Sequence, residues 1–331
     1  MVIAIVISGI SFAAAVVSGV IAARSRRASE EFRAAAEARS RLQVATGSLQ
    51  LELFLETRSF ARRLEHYFRE TGEEDFLVTY ADHEPGAYHR GGMLLYRILR
   101  PLTVGEIIEK QTLAGDLLLD PGLMDMVRFG QAAVEMLTGE ELGAGLEGED
   151  VIPGFAMSSC WDIGHERSAI FQRIRGSYLR GGAAALLAPE KGAPEPRRCI
   201  THSEFCKLWE GPNKQSKRYV AFNESLEPMK ATLHGFNRYQ NPILWLRLVG
   251  YAYACERFFE QMWRSMFAKR FWQRISNWRQ EPVEFGTIGV PVVEMLEDLA
   301  AHGEASELNR YIARHARDYV VRFDEIIDSA L

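Results

Sequence analysis

Apolar positions along the chain fall into an unbroken run near the start and helical three- and four-residue steps through most of the remainder, with almost none of the alternation of a strand. The unbroken run is Val2–Ala23, 22 apolar or small residues without a charge. At about 1.5 Å per helical residue it extends about 33 Å, enough to cross a hydrocarbon core of about 30 Å, and it predicts a single transmembrane helix. A cleaved secretory signal is the competing reading, since Ala13 to Ala15 and Ala22 to Ala23 offer small residues at cleavage positions. Against it, no Lys or Arg precedes the run, and the run is longer than a usual signal core. Ser11, Ala15, Gly19 and Ala23 recur every four residues as a smooth stripe, a pattern that lets two helices approach closely in lipid and predicts self-association.

Beyond the run, residues 24–70 are rich in Ala, Glu, Arg, Leu and Gln, lack Pro and contain only Gly47 as a breaker. They predict a juxtamembrane stalk helix, continuous or hinged at Gly47. Residues 71–187 form a first helical region. Within it a polar loop is expected over Asp82–Gly92, a helix that stops near Pro101, and a new helix launched by a Thr103/Glu106 capping box. A helix over Leu123–Leu137, a glycine-rich acidic loop over Thr138–Gly154 and a helix over Ser158–Arg180 follow. Residues 188–218 are a Pro-rich linker and loop, with Pro189, Pro194 and Pro196. Residues 219–331 are a second helical region, opening with a possible short strand at Tyr219–Asn223. It continues with a long helix from Pro242 and ends in a single amphipathic helix over Glu304–Ser329. The fold class is mainly α: a transmembrane helix, a stalk and a cytoplasmic helical bundle or array.

Charge sharpens the topology. Arg24, Arg26 and Arg27 follow the apolar run directly, so the positive-inside bias places the C-terminal domain in the cytoplasm, at an inner or plasma membrane, with the N-terminus outside. Four cysteines are sparse for 331 residues, and a cytoplasmic setting keeps them reduced. The net charge of −5 conceals segregation: residues 24–70, 71–150, 151–280 and 281–331 carry +3, −11, +10 and −7. Acidic and basic blocks of one body can hold each other, or the basic block can meet lipid headgroups or an acidic partner.

Three groups are candidates for chemistry. Cys199, His202 and Cys206 make a C-x2-H-x3-C group, with Cys160 and His165 as further ligands. If the segment from 202 is helical, His202 and Cys206 share a face, as a zinc site requires. The structural alternative is a short helix capped by Thr201 and Glu204, with small cysteines in a core. Asp82, His83, Glu84 and His89 pair carboxylates with imidazoles in a polar stretch, a set capable of acid–base work or metal binding, though without HExxH spacing. Trp263, Arg270 and Arg274 belong to an aromatic and arginine-rich helix in which the two arginines fall inside the apolar arc. Such a helix can snorkel in a core, contact a membrane surface or, less favoured, bind nucleic acid.

Phosphate-binding GxxxxGK[ST], dinucleotide GxGxxG, the GxSxG elbow and the kinase motif set are all missing, so nucleotide hydrolysis, dinucleotide redox chemistry and α/β-hydrolase catalysis lack their usual supports. The sequence points to a single-pass membrane protein, oligomeric through its transmembrane helix, that acts on unknown protein partners as scaffold, sensor or regulator. No cofactor is predicted; zinc on the Cys/His group is the metal the spacing admits. The alternative is a membrane-tethered metal-dependent enzyme or nucleic-acid-binding effector.

Overall fold

The structure is a computed structural model that describes residues 2–70, 85–112, 121–139, 142, 174–188, 198–211, 216–233, 236–268, 291–301 and 305–330. Side chains are described at these positions except 2–23, 35, 39, 43, 45, 70, 85–90, 121 and 263–268. The described residues are mainly helical. α1 (Val2–Glu70) is followed by α2 (Pro85–Thr112), α3 (Pro121–Thr138) and α4 (Gly176–Ala185). Two-residue strands β1 (Leu187–Ala188) and β2 (Arg198–Cys199) pair antiparallel, Leu187 opposite Cys199. Then come α5 (His202–Glu210), α6 (Lys217–Leu233), α7 (Pro242–Ala268), α8 (Val292–Glu297) with a 3-10 turn at Asp298–Ala300, α9 (Glu307–Arg314) and α10 (Ala316–Ala330).

α7 is the element the others pack around. Residues 241–252 are buried on every side, as expected for a helix whose apolar residues do not keep to one face. α1 and α3 pack on it most extensively, with α8 and α10 beside them. Gly250 lets α10 close in, because a Cβ there would lie 2.8 Å from a Phe323 ring carbon. One apolar cluster runs from Leu49 of α1 to Ile327 of α10 and includes residues on both sides of 188–218.

Several local expectations give way to tertiary context. α1 is a single helix through Gly47, whose surroundings are open, so the hinge alternative is not realised. α2 begins at Pro85, so the last part of the expected polar loop is helical, and Gly92 marks close packing rather than a turn: a Cβ would meet the Trp209 indole at 2.5 Å. α2 also continues through Pro101 instead of stopping. Tyr251 donates to the Ile98 carbonyl (3.1 Å) and Thr103 to the Leu99 carbonyl (2.9 Å), supplying side-chain donors in the turn the proline disturbs. Thr103 is therefore a mid-helix residue and not a cap.

Tyr219–Asn223 lies inside α6, not in a strand. The strand pairing occurs instead across the Pro-rich segment, where two residues on each side meet. Ile174 and Arg175 are not helical, so the helix expected over 158–180 starts at Gly176 within the described residues. The expected last helix is split at His315 into α9 and α10. Among the described residues no helix is long and apolar enough to cross a membrane, so the expected transmembrane span gains no structural support. The apolar run forms the first turns of α1, with side chains outside those described.

Candidate functional site

His202 and Cys206 are the one pair of expected site residues that the described structure brings together. The reason is local. Thr201 caps α5, its hydroxyl accepting from the Glu204 backbone N–H while the Glu204 carboxylate accepts from the Thr201 N–H (2.8 Å). Arg198 holds the same carboxylate through two 2.8 Å bonds. These bonds, Arg198 foremost, draw the Glu204 pKa down to about 2. Phe205 and Trp209 bury one face of α5, Phe205 against Tyr96 and Phe222. The cap starts the helix at His202, which places His202 and Cys206 one turn apart on the same stripe as Phe205 and Trp209, at its margin toward solvent.

On that face the partner is a residue the sequence did not point to. His202 Nε2 lies 2.7 Å from Met93 Sδ of α2 and 3.4 Å from Cys206 Sγ. His202 is exposed, whereas Met93 and Cys206 are half-buried. Burial and the nearby Glu210 raise the Cys206 thiol pKa. Tyr96 stands 5.8 Å from the imidazole, ring to ring.

Cys199 has a different environment. It is buried in β2, its thiol is pushed up to about 12 by desolvation, and it lies within electrostatic reach of Arg100, Glu52 and Glu56. These three form an ion cluster between α1 and α2. Arg100 bridges Glu52 (2.9 Å) and Glu56 (3.1 Å) while its guanidinium stands over the Tyr96 ring. Desolvation raises the Glu56 pKa against the opposing pull of Arg100. Tyr96 donates to the Ile200 carbonyl (3.0 Å), tying the cluster to the residue that precedes the α5 cap.

Two further arginines sit deep in the body. Arg247 of α7, 2% exposed, donates to the Gly139 carbonyl (2.8 Å) at the end of α3, where the helix dipole favours a cation. Arg238 donates to the Phe68 carbonyl (3.3 Å) at the end of α1 and pairs with Asp298 (3.2 Å). Both serve as helix-end caps and inter-helix ties. An open groove of about 620 Å³ separates α2, α3 and α4. Leu102, Val127, Leu179 and Ala183 line it, with Glu106, Glu109, Lys110 and Arg180 among its charged residues.

The remaining expected site residues divide simply. Arg24, Arg26 and Arg27 are exposed on α1. Ser11, Ala15, Gly19 and Ala23 lie on its helical backbone, His89 on that of α2 and Trp263 on that of α7, all with side chains outside those described. Asp82, His83, Glu84, Cys160, His165, Arg270 and Arg274 lie outside the described residues. Among the described residues no group of three or more His, Cys, Asp or Glu is arranged to hold a metal ion, so Cys199 does not join His202 and Cys206 as a ligand set. No family model, curated protein or solved structure matches the chain.

Proposed function

We propose that Val2–Ala23 anchors the chain in a membrane, that α1 holds the helical body clear of the bilayer, and that the body acts through protein partners as a scaffold, sensor or regulator. The observation that carries this reading is continuity. One uninterrupted helix leads from an uncharged apolar run, through about 30 Å of exposed stalk, into the core of the body. A helix that is exposed on nearly all sides for that length needs a reason to project, and a tether supplies one.

Partner binding is supported by the outer side of α1. Val44, Leu51 and Leu55 are 83%, 47% and 51% exposed. At 3.6 residues per turn they fall within a strip of about 40°, away from buried Leu49, Leu53, Phe60 and Leu64. Phe32, 73% exposed, adds a separate apolar point nearer the apolar run. The small-residue stripe at 11, 15, 19 and 23 suits pairing of two such tethers, and Arg24, Arg26 and Arg27 favour a cytoplasmic body.

Alkaline carbonate extraction with protease protection tests the proposal. The full chain should stay in the membrane pellet, a chain lacking 2–23 should leave it, and protease on the cytoplasmic side should digest the body. Release of the full chain, or protection of residues beyond 24 from that protease, overturns it.

A further inference from the structure

We propose that Met93, His202 and Cys206 form a binding site for a soft univalent cation, Cu(I) by chemistry. A thioether, an imidazole and a thiol converge on one nitrogen, His202 Nε2, at 2.7 and 3.4 Å from the two sulfurs. Nε2 carries either a proton or a lone pair. If it carries the proton, the proton cannot make a full hydrogen bond to both sulfurs. If it carries the lone pair, the Cys206 S–H can donate to it while the Met93 sulfur, which has no hydrogen, faces that lone pair. No single tautomer satisfies both contacts with a full hydrogen bond, whereas a cation between them bonds all three atoms.

The donor set selects the ion. Thioether sulfur is a poor ligand for zinc, magnesium or calcium and a good one for Cu(I), as is thiolate sulfur. With metal–nitrogen and metal–sulfur bonds of about 2.0 and 2.3 Å, ligand atoms on one ion stand about 3.5 Å apart. The Cys206 separation already fits. The Met93 thioether must retreat by under about 1 Å, which three rotatable side-chain bonds allow.

The mounting is also right for a binding site. His202 and Cys206 sit one turn apart on a helix whose start is fixed by the Thr201/Glu204 cap, and Met93 comes from a second helix packed into the core. The site is open to solvent at His202, which gives an ion an entry path. On binding, the Cys206 S–H bond breaks and its proton goes to solvent as the sulfur–metal bond forms. The ion enters and stays univalent, so no electron moves.

The test is anaerobic titration of the reduced, metal-free full chain in detergent with Cu(I) supplied as its bathocuproine disulfonate complex. One equivalent should pass to the protein. Met93→Leu and Cys206→Ser, both close in volume to the native residues, should fold as judged by circular dichroism and should each weaken binding at least about tenfold. X-ray absorption of the loaded protein should show one nitrogen and two sulfur neighbours. Failure of transfer, binding that Met93→Leu leaves unchanged, or a shell of sulfur alone overturns the proposal. These outcomes are independent of whether the chain is membrane-bound.

Discussion

From Arg24 to Val44, α1 presents described side chains that are exposed except for half-buried Ala38 and Leu42, while from Thr46 to Tyr67 the same helix buries Leu49, Leu53, Phe54, Phe60 and Leu64 against α2 and α7. The two halves differ in what keeps them helical. The outer half draws on propensity alone, through its alanines, glutamates and arginines, and a helix of that length in water is marginal unless it continues into something stable. The inner half is held by burial and by the Arg100 cluster, so it acts as the nucleus from which the outer half extends. A rod supported at one end is useful if the other end is fixed as well.

The largest effect that would expose this difference is Leu53→Ala, which should cost about 3 kcal/mol in urea denaturation of the full chain, while Val44→Ala should stay within about 0.5 kcal/mol. Equal losses would break the distinction between the halves. Next comes Arg100→Ala, expected to cost about 2 kcal/mol, because it leaves Glu52 and Glu56 facing each other in a half-buried site.

Glu56 also fixes the sign of a pH effect. Its folded pKa is raised above the ordinary 4.5, chiefly by desolvation, so its contribution is present below that pH and is lost as pH rises through the folded value. Glu56→Gln should therefore flatten the fall in urea midpoint above pH 4.5.

Gly47→Ala tests the junction itself. With open space where a Cβ would go, the change should raise stability by about 0.5–1 kcal/mol. A loss there would show that the helix needs the glycine to bend.

The smallest effect is expected at Glu204, where the sign reverses. Its pKa is drawn down to about 2, so its contribution is lost as pH falls from 4.5 toward 2. Because the carboxylate stays 33% exposed and solvent screens its bonds, the shift in midpoint between native protein and Glu204→Gln should be slight and confined to that interval.

The helices were legible wherever periodicity and composition agreed, and the Thr201/Glu204 cap was legible because both partners lie within one turn. The passage of α2 through Pro101 was not legible because the surroundings of that turn are distant in sequence: Tyr251 lies 153 residues from the Ile98 carbonyl to which it donates. Gly92 falls in an expected loop because nothing local announces the Trp209 ring that needs its space. The same reasoning applies to the site. His202 and Cys206 share a helical spacing visible in sequence, but Met93 is 109 residues from His202, and a lone methionine in an apolar stretch carries no pattern. Arg247 lies inside an otherwise apolar run, and the carbonyls at the end of α3 to which it donates are 108 and 111 residues away.

The central proposal is that α1 passes from lipid, through water, into the protein core as one helix. Site-directed spin labels placed singly along 2–69, in a background without native cysteines and in lipid vesicles, test it most directly. The account predicts oxygen-accessible, nickel-chelate-protected labels over 2–23 and nickel-accessible labels without helical periodicity over most of 24–44. From 46 onward, protection should repeat at helical spacing. Water-accessible labels over 2–23, or periodic protection over 24–44, would contradict it.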